Sequence, residues 1–209
     1  LTLGGGLRGF GAQLFNPDGT KSGNQFLSTA GVGPTVAALT GGGYVIVWDD
    51  FNRDLRAQIF HADGTTSGSE FLVNATTAGL QQGAQITALP DGRFVVAWQD
   101  LSQSGDDPFG SAVRAQVFNP DGSRSGREFV VNLTTSGDQI TPRIAALSDD
   151  NYIVIWNSNS PGGQPYSVEG RILVPPDPTM PVVGALERTA RPGQQIALRA
   201  PAASPRLGL

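Results

Sequence analysis

The sequence predicts an all-β protein of tandem four-stranded antiparallel units, about three in number and shaped like the blades of a propeller. Three observations predict it. A template recurs: PTVAALTGGGYVIVWDD…LRAQIFHADGTTSGSEFLVN from Pro34 to Asn74 returns as QITALPDGRFVVAWQD…VRAQVFNPDGSRSGREFVVN from Gln85 to Asn132, and again as PRIAALSDDNYIVIWNS…VEGRIL from Pro142 to Leu173. Within the template, apolar residues alternate or run together briefly and never keep the 3.6-residue period of a helix. The 28 Gly and 15 Pro among 209 residues suit many short strands joined by tight turns.

Residues 1–9 are Gly-rich and patternless, and read as a flexible lead-in or a piece of an earlier repeat. The template then opens with strand c, which is FGAQLF at Phe10–Phe15 and recurs as LRAQIF, VRAQVF and VEGRIL. Its alternation is that of a half-buried strand, with the central Gln on the polar face. An Asp-Gly turn follows at Asp18, Asp63 and Asp121, because Gly accepts the positive φ of a tight hairpin and Asp can bond its own backbone. A second Gly, at Gly23, Gly68 and Gly126, suits another left-handed or bulge position. Strand d (NQFLS, SEFLVN, REFVVN) closes the hairpin.

Polar connections lead to strand a (TVAAL, QITAL, RIAAL), and a short turn leads to strand b (YVIVW, FVVAW, YIVIW). Strand b is apolar on both faces, as expected of a strand between two packed layers. Its Trp48, Trp98 and Trp156 therefore read as core residues. The b–c loops vary most: FNRD, LSQSGDDPFGS and NSNSPGGQPYS. The order is thus c-d, a-b-c-d, a-b-c-d, a-b-c, which invites Asn24–Ser28 to complete the last unit. Three blades should not close alone, so an oligomer, a longer array or a prism-like stack is expected. The domain spans 10–174, and 175–209 form a Pro/Ala/Arg-rich tail or docking arm, with QQIALRA as a candidate added strand.

A net charge of −4 and the absence of any basic block give no footprint for nucleic acid. No apolar run is long enough for a membrane-spanning helix, and no signal peptide is recognisable at the N-terminus. With no cysteine there is no disulfide, thiolate metal site or cysteine nucleophile. The single histidine, His61, stands where other units carry Asn16 and Asn119, and reads as a turn residue.

The segments RAQIFHADGTTSG and RAQVFNPDGSRSG, each followed by EF(L/V)VN, together with AALSDDNYIVIW and its copies, resemble tandem repeats of large secreted RTX-type and hemolysin-type calcium-binding proteins and adhesins of Gram-negative bacteria. The resemblance covers Phe10–Leu173, and the nonapeptide G-G-x-G-x-D calcium repeat is absent. It implies an extracellular or bacterial cell-surface setting, other subunits or a longer repeat array as partners, and calcium as the cofactor to consider.

Candidate ligand-binding residues cluster after strand b, where variable loops on a fixed scaffold often bind. They are Asp49, Asp50, Asp100, Asp107 and Asn157, with Phe109 and Tyr166 as aromatics suited to sugar recognition. Asp18, Asp63 and Asp121 are candidate calcium ligands, though each turn offers one carboxylate where a calcium loop offers several. The expected function is a non-catalytic extracellular module acting in adhesion or as a structural subunit, the chain not being an enzyme. The alternative is a multivalent lectin-like module that uses the b–c loops to bind cell-surface glycans.

Overall fold

The computed structural model describes residues 9–28, 30–148, 150–159 and 167–176. Thirteen strands are present among them, and no helix. A two-stranded sheet pairs β1 (Phe10–Phe15) with β2 (Lys21–Ser28). A four-stranded sheet follows, in the order β3 (Val32–Ala38), β4 (Tyr44–Asp49), β5 (Leu55–Phe60), β6 (Thr66–Leu72). The next has β7 (Gln81–Ala88), β8 (Phe94–Asp100), β9 (Ala112–Phe118) and β10 (Phe129–Val130). The last has β11 (Asp138–Ala146), β12 (Tyr152–Asn159) and β13 (Ser167–Leu173). Every pairing is antiparallel. The expected all-β, propeller-blade-like architecture is the observed one.

The sheets stack face to face, with β7 touching both β3 and β11. Alternation along strand b decides which residue faces which neighbour. Phe94, Val96 and Trp98 of β8 pack with Val45 and Val47 of β4 in one core. Val95 and Ala97 pack with Tyr152, Val154 and Trp156 of β12 in a second. Ile46 and Trp48 face the β1–β2 hairpin in a third, beside Phe10 and Phe26. All three tryptophans are buried.

Three expectations are corrected. Strand c is not half-buried in the middle of the array: every residue of β9 is buried, because sheets cover it on both sides. Its central Gln does not face solvent either. Gln116 is fully buried and donates from Nε2 to the Val117 carbonyl at 2.8 Å and the Gly126 carbonyl at 3.3 Å, as Gln58 does to Ile59 and Gly68. These bonds fill the space left where the c–d register slips between Ala57 and Ile59. Nor does Asn24–Ser28 complete the last sheet, since it lies within β2, which pairs with β1, and among the described residues no d strand pairs with β13.

The Asp-Gly turns form as expected, with φ of 82°, 85° and 85° at Gly19, Gly64 and Gly122. Strand a carries a bulge in all three units, at Gly33, Gly83 and Thr141, where φ is again positive.

Candidate functional site

Antiparallel order sorts the candidate residues onto two ends. The c–d turns with Asp18, Asp63 and Asp121 lie at one end, and the b–c loops at the other.

At the turn end each aspartate works locally. Oδ1 of Asp18 accepts from Thr20 N (2.9 Å) and Oγ1 (2.6 Å), and Asp63 and Asp121 are bonded in the same way by Thr65 and Ser123. These hydroxyl and amide donors hold all three carboxyls below the usual range. Each sits in its own turn, and among the described residues no three His, Cys, Asp or Glu side chains gather as metal ligands.

At the loop end most of the aspartates are committed to internal bonds. Asp100 is 1% exposed. Its Oδ1 accepts from Ser102 N at 2.8 Å and Gln81 Nε2 at 2.6 Å, and its Oδ2 accepts from Ser102 Oγ at 2.7 Å and from Arg114 Nε. Gln81 Oε1 in turn accepts from Trp98 Nε1 at 2.7 Å, and Arg114 Nη1 lies 3.3 Å from Glu128 Oε1. Asp50 repeats the theme with Arg56 Nε at 3.0 Å and the amides of Asn52 and Asp54. Burial opposes ionisation of Asp50, but those donors outweigh it and hold its pKa down.

Asp107, 2% exposed, accepts from Asn132 Nδ2 at 2.7 Å, and burial raises its pKa. Asn132 Oδ1 meanwhile caps Val113 N at 2.8 Å, and Asn74 caps Leu55 N. The sequence placed Asp50, Asp100 and Asp107 on a ligand surface, whereas the structure puts them behind it, tying strands b, c and d together. Asn157 donates to Thr141 Oγ1 at 2.8 Å. Tyr166 and the tail from 177 lie outside the described residues.

Among the described residues two aromatic rings are exposed at this end. Phe109 is 64% exposed, and Phe51, in the corresponding loop of the preceding unit, is 51% exposed. Asp49, at the end of β4, is half-buried. One of its oxygens accepts from Gly83 N of the next unit at 3.1 Å, and Oδ1 has no hydrogen-bond partner. Desolvation pushes its pKa up despite that amide. Phe51 escaped the sequence reading because it stands beside an acidic pair in a four-residue loop, FNRD, where nothing distinguishes an exposed ring from a loop anchor.

No family model and no curated protein matches the chain. Solved structures share the fold. A protein of unknown function from Dyadobacter fermentans aligns at 16% identity and a TM-score of 0.51, over 79% of this chain and 49% of its own, so the present chain spans about half of that protein. An endo-arabinase from Bacteroides thetaiotaomicron aligns at 14% identity and TM-score 0.42 (65% and 53%), and a thermostable family-43 glycoside hydrolase at 10% and 0.49 (84% and 73%). At these identities the likeness concerns the fold alone. The expectations of a non-catalytic adhesive or structural module and of a chain that is not an enzyme are corrected: glycoside hydrolases are among the solved structures to which the chain is similar. Among the described residues no helix is long and apolar enough to cross a membrane.

Proposed function

We propose that the chain engages carbohydrate at the b–c loop end of the propeller, with Phe51 and Phe109 as stacking rings and Asp49 as the ionisable group at that end. The observation that carries the reading is the pair of exposed aromatic rings on equivalent loops of successive units. A ring face exposed on a rigid scaffold can stack against the apolar face of a sugar, at little cost in side-chain entropy. Asp49, half-buried at the same end, adds an acid whose pKa desolvation raises. The resemblance to secreted RTX-type repeats supports an extracellular bacterial setting, with calcium as a candidate cofactor.

The test is titration of the chain with a panel of oligosaccharides, arabinose-containing ones among them, followed by NMR and by assay for new reducing ends. The expected result is a ligand that perturbs Phe51 and Phe109 and binds at least fivefold more weakly to Phe51→Ala or Phe109→Ala. Release of reducing ends that Asp49→Asn abolishes would add catalysis to recognition. A panel that neither perturbs these rings nor is cleaved would end the reading.

A further inference from the structure

The β1–β2 hairpin is half a blade. Its strands occupy positions c and d of the template, and among the described residues β1 pairs with β2 alone. The opposite edge of strand c, which in the three following sheets pairs with strand b, has no strand beside it among the described residues.

The two complete junctions show what belongs beside that edge. Between the first pair of sheets, Val45 and Val47 of strand b fill the space before Phe94 and Val96, and Ile86 of strand a joins them. Between the next pair, Val95 and Ala97 do the same before Tyr152 and Val154, and Ile144 joins. At the β3–β4 face the equivalent Tyr44 and Ile46 pack among the described residues with Phe10, Ala12 and Phe26 of positions c and d, with Trp48 and Phe60 completing the cluster. Val36, the counterpart of Ile86 and Ile144, is 61% exposed. In place of a and b lies a mainly apolar groove of about 650 Å³, walled by Phe10, Ala12 and Leu14 on one side and Val36, Tyr44 and Ile46 on the other.

We propose that this groove seats the a–b strand pair of a further repeat unit. Its strand b would add antiparallel to β1 and turn its second and fourth residues onto Tyr44 and Ile46, while its strand a covers Val36. Strand addition supplies main-chain hydrogen bonds, and alternate side chains supply specificity. The occupant is identified by the packing of the two intact junctions, which repeat one contact with the same template positions.

The test uses the whole chain and a synthetic hairpin of residues 84–100, carried on a lysine tag for solubility. The expected result is saturable one-to-one binding that slows hydrogen exchange at the β1 amides facing away from β2. Val36→Asp, a change at an exposed position that leaves the fold intact, should weaken binding at least tenfold. A control hairpin with Val95 and Ala97 both replaced by Asp should not bind. No binding, equal binding by the control hairpin, or equal binding to Val36→Asp would overturn the proposal. So would a dimer of the chain alone that Val36→Asp dissolves, since the occupant would then be a second copy.

Discussion

At Asp49 burial and charge conflict. The side chain sits half-buried at the end of β4, one oxygen held by the Gly83 amide and the other without a partner, so the charged form is penalised. The folded-state pKa lies above the unfolded one, so between those two values the native chain holds more proton than the unfolded chain does. Stability from this group is therefore full at low pH and is lost as pH rises through the raised value. Asp49→Asn keeps an acceptor for Gly83 and removes the charge. It should raise the melting temperature at pH 7 by roughly 1–3 °C, kept small by solvent screening of a part-exposed group, and leave it unchanged at pH 3. Thermal unfolding at both pH values checks this. Such a residue is only partly legible in sequence: Asp49 and Asp50 are adjacent and alike on the page, yet alternation turns one toward the next unit and the other toward Arg56. Asp100 and Asp107 were misread as surface groups because their partners, Arg114 and Asn132, lie 14 and 25 residues away.

Within a blade, strands b, c and d are tied by a charged triplet as well as by the ladder. In the second unit Arg114 lies between Asp100 and Glu128, all nearly buried, and in the first Arg56 lies between Asp50 and Glu70 with Arg56 and Glu70 open to solvent. Removing the cation from the buried set leaves uncompensated carboxylates, whereas in the first set water reaches Arg56 and Glu70, and the amides of Asn52 and Asp54 still hold the buried Asp50. Arg114→Met should accordingly cost about 3–5 kcal/mol in urea unfolding, and Arg56→Met no more than about 1 kcal/mol. Equal losses would refute this account of the triplets. The strands themselves were readable, since a template that repeats its Asp-Gly turns and its apolar b runs leaves little freedom in where they begin and end. Which faces are covered was less readable. Strand c has a half-buried pattern, and only the stacking of sheets on both sides of β9 shows why its Arg114 and Gln116 are buried and bonded rather than exposed.

On the scale of the whole molecule, the fourth residue of strand b records which junctions are closed. Val47 and Ala97 are fully buried between sheets, whereas Ile155, at the same template position in the last sheet, is 40% exposed. A charge introduced at a closed junction has no water to solvate it. Val47→Lys should therefore abolish cooperative unfolding, while Ile155→Lys should change stability by no more than about 0.5 kcal/mol; comparable damage from both would mean the last face is covered in solution. The parity that sorts these residues also governs how such a chain can change in length. Removing one residue from Phe94–Trp98 would exchange the two sides of the strand and send Trp98 toward the wrong neighbour, whereas the b–c connection runs from four residues in FNRD to eleven in LSQSGDDPFGS with both flanking sheets intact. Insertions and deletions that survive in descendants of this sequence should thus collect in the b–c loops and leave the spacing inside strand b untouched.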